Sequence, residues 1–168
     1  MLGRYGLIAG LALGLICGTS SATLAANANL VGKDGKSVGT ITLTETPHGV
    51  MIKAELNGLP PGGHGFHIHE NGSCTPDFAT AGGHFNPDGK GHGVTQKNGM
   101  HAGDMPNIYV AADGTVTAEV LNSQVRLGAG AKSIFDANGS AFIVHEKPDT
   151  HLADAGAGGR IACGVIAN

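Results

Sequence analysis

Apolar and polar residues alternate along much of the chain with a period of two, the spacing of a strand that buries one face. In residues 38–45, Ile41 and Leu43 fall on one face and three threonines on the other. The same pattern recurs in residues 49–56, 108–112, 115–121, 140–146 and 161–166. No stretch has the period of a long amphipathic helix. The pattern predicts an all-β domain of about eight antiparallel strands, closed into a barrel or packed as a sandwich.

Two segments interrupt this alternation and predict long loops. Residues 71–106 and 147–159 are rich in Gly, Pro, Asn and Asp and show no convincing period. A long irregular segment in a compact domain is usually either functional or disordered. The first segment carries three histidines, so we expect the functional site to be built on these loops.

Composition narrows the class of protein. The chain has 168 residues, enough for one domain with a substantial core. Apolar residues make up 41% of the sequence, which excludes a disordered chain. The net charge is −3, and no Lys/Arg cluster is present, so a nucleic-acid-binding protein is excluded.

The N-terminus has the pattern of an export signal. Arg4 supplies a positive charge, residues 7–17 form a short apolar run, and small residues lead to Ala25 and Ala26. We expect cleavage after Ala25 or Ala26, with Ala28 also possible. This predicts a signal peptide over 1–25, leaving a chain of 9 basic and 13 acidic residues because only Arg4 is lost.

The expected mature domain, residues 26–168, retains two cysteines, Cys74 and Cys163. An even number of cysteines in an exported chain favours a disulfide over two free buried thiols. Cys17 raises the alternative of a lipid anchor, which the bulky Ile16 before it disfavours. We therefore expect no membrane attachment once the signal is removed.

His67-Ile68-His69 is the first candidate for chemistry. Residues two apart on a strand point the same way, so both imidazoles would share one side while Phe66 and Ile68 face a core. Two fixed neutral imidazoles make half of a metal site. The alternative is that they form only the polar face of a half-buried strand.

Further histidines turn this motif into a pattern. It reads Gly-Phe-His67-Ile-His69-Glu, Gly-Gly-His84-Phe-Asn-Pro, Gly-His92-Gly, His101-Ala-Gly-Asp104, Val-His145-Glu and Gly-Arg160-Ile-Ala-Cys163-Gly. Over essentially the whole mature chain the sequence resembles the copper/zinc superoxide dismutases, in their bacterial periplasmic form. The resemblance implies a Greek-key β-barrel or sandwich. It also implies dismutation of superoxide to dioxygen and hydrogen peroxide by one-electron cycling of copper, with zinc in a structural role.

The resemblance also implies the metal ligands. One copper ion per subunit is expected at His67, His69, His84 and His145. One zinc ion per subunit is expected at His84, His92, His101 and Asp104. His84 would bridge the two ions and carry a proton between half-reactions. Copper(II) favours imidazole nitrogen and zinc accepts His with Asp, which agrees with this division.

Three further roles follow from the same resemblance. Asp149 would link a copper ligand to a zinc ligand, rather than being a solvated loop charge. Arg160 would dock the superoxide anion, rather than being a surface residue before a strand. Cys74 would pair with Cys163 and tie the site loop to the last strand. His64 would be a structural histidine bonded to backbone, while His48 and His151 are expected at the surface.

Other functions use part of the same pattern. An exported protein that stores or delivers copper or zinc would need the ligands but neither Arg160 nor an open copper position. A structural sandwich with a zinc staple would leave His67, His69 and His145 without a role. The expected partner of the enzyme is superoxide alone, with no nucleic acid, and the bacterial form includes both monomers and homodimers.

Overall fold

A computed structural model describes residues 23–168 of the chain, so most of the predicted signal peptide lies outside the described residues. Nearly all of the regular structure is β. The strands are β1 Ala25–Gly32, β2 Ser37–Thr46, β3 Gly49–Leu56, β4 Gly62–His64, β5 Phe66–His69, β6 Ile108–Val110, β7 Val116–Asn122, β8 Ala141–His145 and β9 Arg160–Val165. One turn of 3-10 helix, Phe78–Ala81, lies in the first long loop. The all-β prediction is confirmed.

Seven of the strands form one antiparallel sheet in the order β5-β8-β9-β1-β2-β3-β7, and β4 pairs with β6. The last strand returns beside the first, because β9 pairs with both β1 and β8. Short hairpins alone cannot give this order. The first long loop leads from β5, at one edge of the sheet, to β6, and the second joins the neighbouring strands β8 and β9. The two loops meet near β5 and β8, at one edge of the sheet.

The strand that carries the histidine motif is interrupted, which raises the strand count above the expected eight. Gly65 separates β4 from β5, and the two halves pair with different partners. The backbone of Gly65 accepts from His145 N–H at 2.8 Å and donates to Lys147 O at 2.8 Å. A Cβ on Gly65 would lie 3.1 Å from the Cβ of Ala157, so the second loop packs closely against this corner.

The alternation read from the sequence matches the burial of the long strands. Ile41 and Leu43 on β2, and Ile52 on β3, are at most 1% exposed. Phe66 and Phe142 stack with ring centroids 5.3 Å apart in the same core. Burying side chains of this size contributes about 1.5–3 kcal/mol each to folding.

The two strands beside the loops are buried on both faces, unlike the half-buried strand that the alternation suggested. Every residue of β5 and β8 is buried. Phe66 and Ile68 face the main core, as predicted, whereas His67 and His69 face the loops. The loops therefore form a cover over the histidine face, and the site lies beneath it.

Two smaller features complete the fold. Cys74 and Cys163 form a disulfide that joins the first loop to β9, as predicted. Strand β1 was not predicted in detail, although Ala26, Ala28 and Leu30 alternate inward along it. Among residues 23–168, no helix is both long and apolar enough to cross a bilayer.

Candidate metal centre

Four histidines from three parts of the fold converge under the loops. His67 and His69 lie on β5, and His145 ends the neighbouring strand β8. His84 reaches them from the first loop through a short antiparallel bridge to His69. One ring nitrogen from each lies within 4.8 Å of those of the other three. We name His67, His69, His84 and His145 the four-histidine group.

Backbone contacts hold His84 against β5. Phe85 N–H donates to Ile68 O at 2.9 Å, and Ile68 N–H donates to Gly103 O at 3.0 Å. Gly103 must be glycine here, because a Cβ would lie 2.1 Å from Ile68 O. The loop is thus attached directly to the strand, which places the ring of His84 with its centroid 4.1 Å from that of His67.

Backbone carbonyls orient two of these rings. The Nδ1 of His69 lies 3.0 Å from Gly82 O, and the Nδ1 of His145 lies 3.4 Å from Gly158 O. Their Nε2 atoms face each other at 3.4 Å. Such bonds fix ring orientation and tautomer, and they leave Nε2 of each ring available for a metal.

His67 supplies the strongest sign that the group is suited to a metal. Its Nε2 lies 2.7 Å from Asp149 Oδ2, but the contact is poorly aligned, and neither ring nitrogen makes a well-directed hydrogen bond. The side chain is fully buried. A buried polar atom without a partner costs about 1–3 kcal/mol, and a metal ion would satisfy it. An all-imidazole set of this kind suits copper.

Burial keeps these imidazoles neutral, the form that binds metals. It lowers the pKa of His67 to about 4, against an attraction to Asp149 that raises it. Burial, reinforced by His84, lowers the pKa of His69 to about 2. It lowers the pKa of His145 to about 3.

A second group is arranged around one buried carboxylate. Asp104 Oδ1 lies 2.6 Å from the Nδ1 of His84, 3.3 Å from the Nδ1 of His101 and 3.8 Å from the Nε2 of His92. We name His84, His92, His101 and Asp104 the aspartate group. Because His84 belongs to both groups, its ring lies between them. A set of His and Asp is typical of zinc sites.

Asp104 is held by the backbone through its other oxygen. Oδ2 accepts from Gly93 N–H at 3.0 Å and from His101 N–H at 3.0 Å. Burial opposes ionisation of Asp104, but the bonds to His84 and Gly93 outweigh it and lower its pKa to about 2. The carboxylate therefore stays charged at neutral pH.

The aspartate group is less closely gathered than the four-histidine group. His84, His92 and Asp104 offer atoms within 4.8 Å of one another, while His101 is outside that set. The Nδ1 of His101 is buried without a hydrogen bond, 3.3 Å from Asp104 Oδ1. The Nδ1 of His92 is engaged with Leu152 O at 2.6 Å.

Asp149 lies between the two groups. Its Oδ2 is 2.7 Å from the Nε2 of His67 and 2.9 Å from the Nε2 of His92. Burial works against ionisation, but the attraction of His67 and a bond from His151 N–H hold the pKa of Asp149 well below its usual range. One carboxylate oxygen thus contacts a ring from each group. That Asp149 links a copper ligand to a zinc ligand stays a prediction.

Asn107 was not identified from the sequence. Its Oδ1 accepts from Asp149 N–H at 2.7 Å, and its Nδ2 donates to Asp149 O at 2.9 Å. The same Nδ2 is 3.2 Å from the Nε2 of His151. His151 is thus part of the loop framework, partly buried rather than on the surface, and it has a left-handed φ of 61°. No motif marked these residues, because their contacts join distant parts of the chain.

Arg160 lies beside the four-histidine group at the start of β9. Its Nη1 donates to Phe78 O and its Nη2 to Gly82 O, both at 2.5 Å. Because a guanidinium has five N–H donors, these bonds fix the side chain and leave three donors for a ligand. Arg160 lines a cavity of about 490 Å³ together with Lys33, Pro76, Asp77, Phe78 and Ala79. The cavity lining thus carries two cationic side chains and one carboxylate.

The remaining histidines do not join either group. The Nδ1 of His64 is 2.7 Å from His145 O and its Nε2 is 2.8 Å from Pro60 O, so its structural role is confirmed. His48 is exposed at a hairpin turn, as predicted.

Comparison with known proteins agrees with this arrangement. The profile of the family described as copper/zinc superoxide dismutase (SODC) matches residues 37–166. Superoxide dismutase (Cu-Zn) 2 of Aquifex aeolicus is 48% identical over 166 residues, covering 96% of each chain. Superoxide dismutase (Cu-Zn) of Caulobacter vibrioides is 49% identical over 139 residues, covering 79% of this chain and 80% of that one.

Solved structures share this fold. A SOD-like protein from Bacillus subtilis superimposes with a TM-score of 0.80 at 42% identity, covering 86% of this chain and 99% of that one. The clock protein EA4 superimposes with a TM-score of 0.73 at 33% identity, covering 88% of this chain and 96% of that one. The chain belongs to the copper/zinc superoxide dismutase family.

Proposed function

We propose that this protein converts superoxide to dioxygen and hydrogen peroxide at the four-histidine group, with copper and zinc as cofactors. The observation that carries the proposal is the convergence of three buried imidazoles and the partly buried imidazole of His84, which also belongs to the aspartate group. Membership in a family of superoxide dismutases, at 48% identity over nearly the whole chain, supports the same activity.

The two groups divide the cofactors by their chemistry. The four-histidine group would hold copper, and the aspartate group would hold zinc. Copper, when bound, supplies the one-electron couple that takes an electron from one superoxide and returns it to another. The two half-reactions together convert two superoxide anions and two protons into one dioxygen and one hydrogen peroxide.

His84 is the residue best placed to manage a proton. Its Nδ1 lies 2.6 Å from Asp104 Oδ1, which leaves Nε2 for the side of the other three histidines. Asp104 holds the ring in one orientation during turnover, and Nε2 can take up a proton and release it toward the reduced substrate.

Arg160 attracts and orients the anion. The carbonyls of Phe78 and Gly82 fix its guanidinium, and Gly82 O also contacts the Nδ1 of His69, so Arg160 lies next to the four-histidine group. Arg160 also lines a cavity. Lys33 adds a second positive charge to the lining of this cavity, which Asp77 partly offsets. A protein that only stored copper would have no need of an anchored arginine at an open cavity, so catalysis is favoured over storage.

One experiment separates catalysis from storage. The purified mature protein is analysed for copper and zinc and assayed for superoxide consumption, beside Arg160→Ala and a control, Arg126→Ala. Arg126 also donates to backbone carbonyls, of Ser123 and Val125, but lies elsewhere. We expect one ion of each metal in all three proteins and a loss of rate in Arg160→Ala alone. Full metal content without superoxide consumption in the parent would instead indicate a storage protein.

We also propose that residues 1–25 are a signal peptide and that the mature domain, residues 26–168, works in the periplasm of a bacterium. The disulfide supports an oxidising compartment, because such bonds rarely persist in the cytosol. The intact mass of protein exported from cells should correspond to a chain that begins at Ala26 or Asn27. A full-length mass would contradict the assignment.

A further inference from the structure

Two of the histidines in the four-histidine group are each followed by a glutamate, and the structure uses the two dipeptides in the same way. His69-Glu70 lies opposite the glycine pair Gly82-Gly83. His145-Glu146 lies opposite the glycine pair Gly158-Gly159. The two units come from different strands and different loops, yet their contacts correspond one by one.

The first unit makes three contacts. The Nδ1 of His69 is 3.0 Å from Gly82 O. Gly83 N–H donates to Glu70 Oε1 at 2.8 Å, and Glu70 N–H donates to Gly83 O at 2.9 Å. The first glycine thus orients the imidazole, and the second is held by the glutamate through both its N–H and its carbonyl.

The second unit repeats these contacts with longer side-chain distances. The Nδ1 of His145 is 3.4 Å from Gly158 O. Gly159 N–H donates to Glu146 Oε2 at 3.3 Å, and Glu146 N–H donates to Gly159 O at 2.7 Å. The roles of the two glycines are the same as in the first unit.

Both units require glycine at the same position. Gly82 and Gly158 have φ values of 75° and 73°, which other residues rarely adopt. A Cβ on Gly82 would lie 2.7 Å from Glu70 Oε1, and one on Gly158 would lie 3.2 Å from Glu146 Oε2. The glutamate and the glycine pair therefore fit each other closely.

The residue after each glycine pair is the functional residue of its loop. Gly83 precedes His84, and Gly159 precedes Arg160. We propose that Glu70 and Glu146 are positioning residues, each of which holds one glycine pair in place. The first glycine of the pair orients one histidine of the site, and the pair positions the residue that follows it, His84 or Arg160. We call each glutamate with its glycine pair a clamp. This inference rests on the proposed function, which gives His84 and Arg160 their roles.

A shared carbonyl joins the two clamps. Gly82 O accepts from the Nδ1 of His69 and also from the Nη2 of Arg160 at 2.5 Å. Displacement of the first glycine pair would therefore disturb both a histidine of the site and the anion-docking arginine. A carboxylate suits this task, because charge-assisted hydrogen bonds are roughly twice as strong as neutral ones. Both glutamates are exposed, so burial in the core does not account for them.

The test compares alanine and glutamine at each position. The variants are Glu70→Ala, Glu70→Gln, Glu146→Ala and Glu146→Gln. Glutamine keeps the acceptor oxygen, so it should retain most of the clamp. The control is Glu119→Ala, an exposed glutamate on β7 at the opposite edge of the sheet. All are prepared with zinc and copper, and amide hydrogen exchange is measured by NMR on the copper(I) form, which is diamagnetic.

We expect Glu70→Ala to accelerate exchange of the Gly83 amide by about tenfold and Glu146→Ala to accelerate that of Gly159, since each loses a charged acceptor. The glutamine variants should show a smaller increase than the alanine variants, because they keep the acceptor oxygen but lose its charge. Glu119→Ala should retain the parent's rates. Copper(II) EPR should change in both alanine variants, and azide should bind more weakly to them as an anionic probe.

Alanine variants with the parent's exchange rates, EPR spectra and azide affinity would overturn the inference. Faster glycine exchange without any change in EPR or azide affinity would also overturn it, because the clamp would then not reach the site. If the parent itself failed to consume superoxide, the proposed function would fail, while the exchange and EPR comparison would still decide the clamp.

Discussion

The four-histidine group and the aspartate group are neighbours, but different parts of the fold build them. Three residues of the first group lie on buried strands, and backbone carbonyls orient two of them. The second group lies on the first long loop, where one carboxylate gathers its histidines. The four-histidine group should therefore keep its geometry without metal, whereas the aspartate group should depend on Asp104 and on zinc.

Removing one histidine from each group should give the largest contrast. His69→Ala removes a proposed copper ligand. We expect loss of copper and a fall in superoxide consumption of at least about a hundredfold, since even groups behind metal ligands cost about 10–100-fold. His92→Ala should remove zinc but leave copper bound. Metal analysis and the superoxide assay measure both effects.

His48→Ala, at an exposed turn, is the matched control and should behave as the parent does. Loss of copper from His92→Ala equal to that from His69→Ala would show that the two groups do not act separately.

Removing the carboxylate of Asp104 should destabilise the aspartate group even without metal. Asp104→Ala deletes the acceptor for Gly93 N–H and His101 N–H and the partner of His84. Loss of one partner from such a buried cluster costs about 3–5 kcal/mol. Denaturant unfolding of the metal-free proteins should show this decrease in unfolding free energy. The exposed Asp113→Ala should cost much less, and equal costs would refute a central role for Asp104.

As the pH falls, stability should be lost first through the histidines of the four-histidine group. The folded-state pKa values of His67, His69 and His145 are about 4, 2 and 3, all below the ordinary value of 6.5. The unfolded chain therefore binds more protons, so the stability of the metal-free protein falls as the pH drops below 6.5. At pH 5 each of these histidines should cost about 2 kcal/mol.

The two carboxylates affect the stability in a lower pH range. The pKa values of Asp104 and Asp149 are depressed, so the stability that they contribute is present above about pH 4 and is lost as the pH falls toward their folded-state values. Urea unfolding at several pH values measures both ranges. A metal-free protein of constant stability between pH 7 and pH 5 would contradict the burial of neutral histidines.

The smallest effect should come from the residue that supports the link between the groups. Asn107→Ala removes both bonds to the backbone of Asp149, which should lower the unfolding free energy by about 1–3 kcal/mol. Zinc should bind more weakly, because His92 loses part of its support, while copper binding should change little. Asn57→Ala, at an exposed position after β3, is the control. Equal losses of copper and zinc would contradict the assignment of copper to the four-histidine group and zinc to the aspartate group.

The same contrast explains what the sequence could predict. The period of two predicted most strands and the shared side of His67 and His69, because alternation is a local property. It did not reveal the break at Gly65, where the strand changes partners. Strand β1 was not predicted in detail either, since small residues weaken its alternation beside the expected cleavage site.

The aspartate group could be predicted only from the resemblance to a family. The approach of Phe85 to Ile68 and the support of Asp149 by Asn107 join residues far apart in the chain, and no local pattern encodes them. The same holds for the glycine pairs opposite Glu70 and Glu146. The disulfide was an exception, because an even number of cysteines in an exported chain indicated it before the structure did.

The central claim is that the ring of His84 is shared by two different metal ions. Anomalous diffraction at the copper and zinc absorption edges, on crystals of the metal-loaded protein, tests it directly. We predict a copper peak about 2 Å from ring nitrogens of the four-histidine group and a zinc peak about 2 Å from ligand atoms of the aspartate group, one on each side of His84. A single peak, or a copper peak outside bonding distance of His145 or His69, would contradict the account.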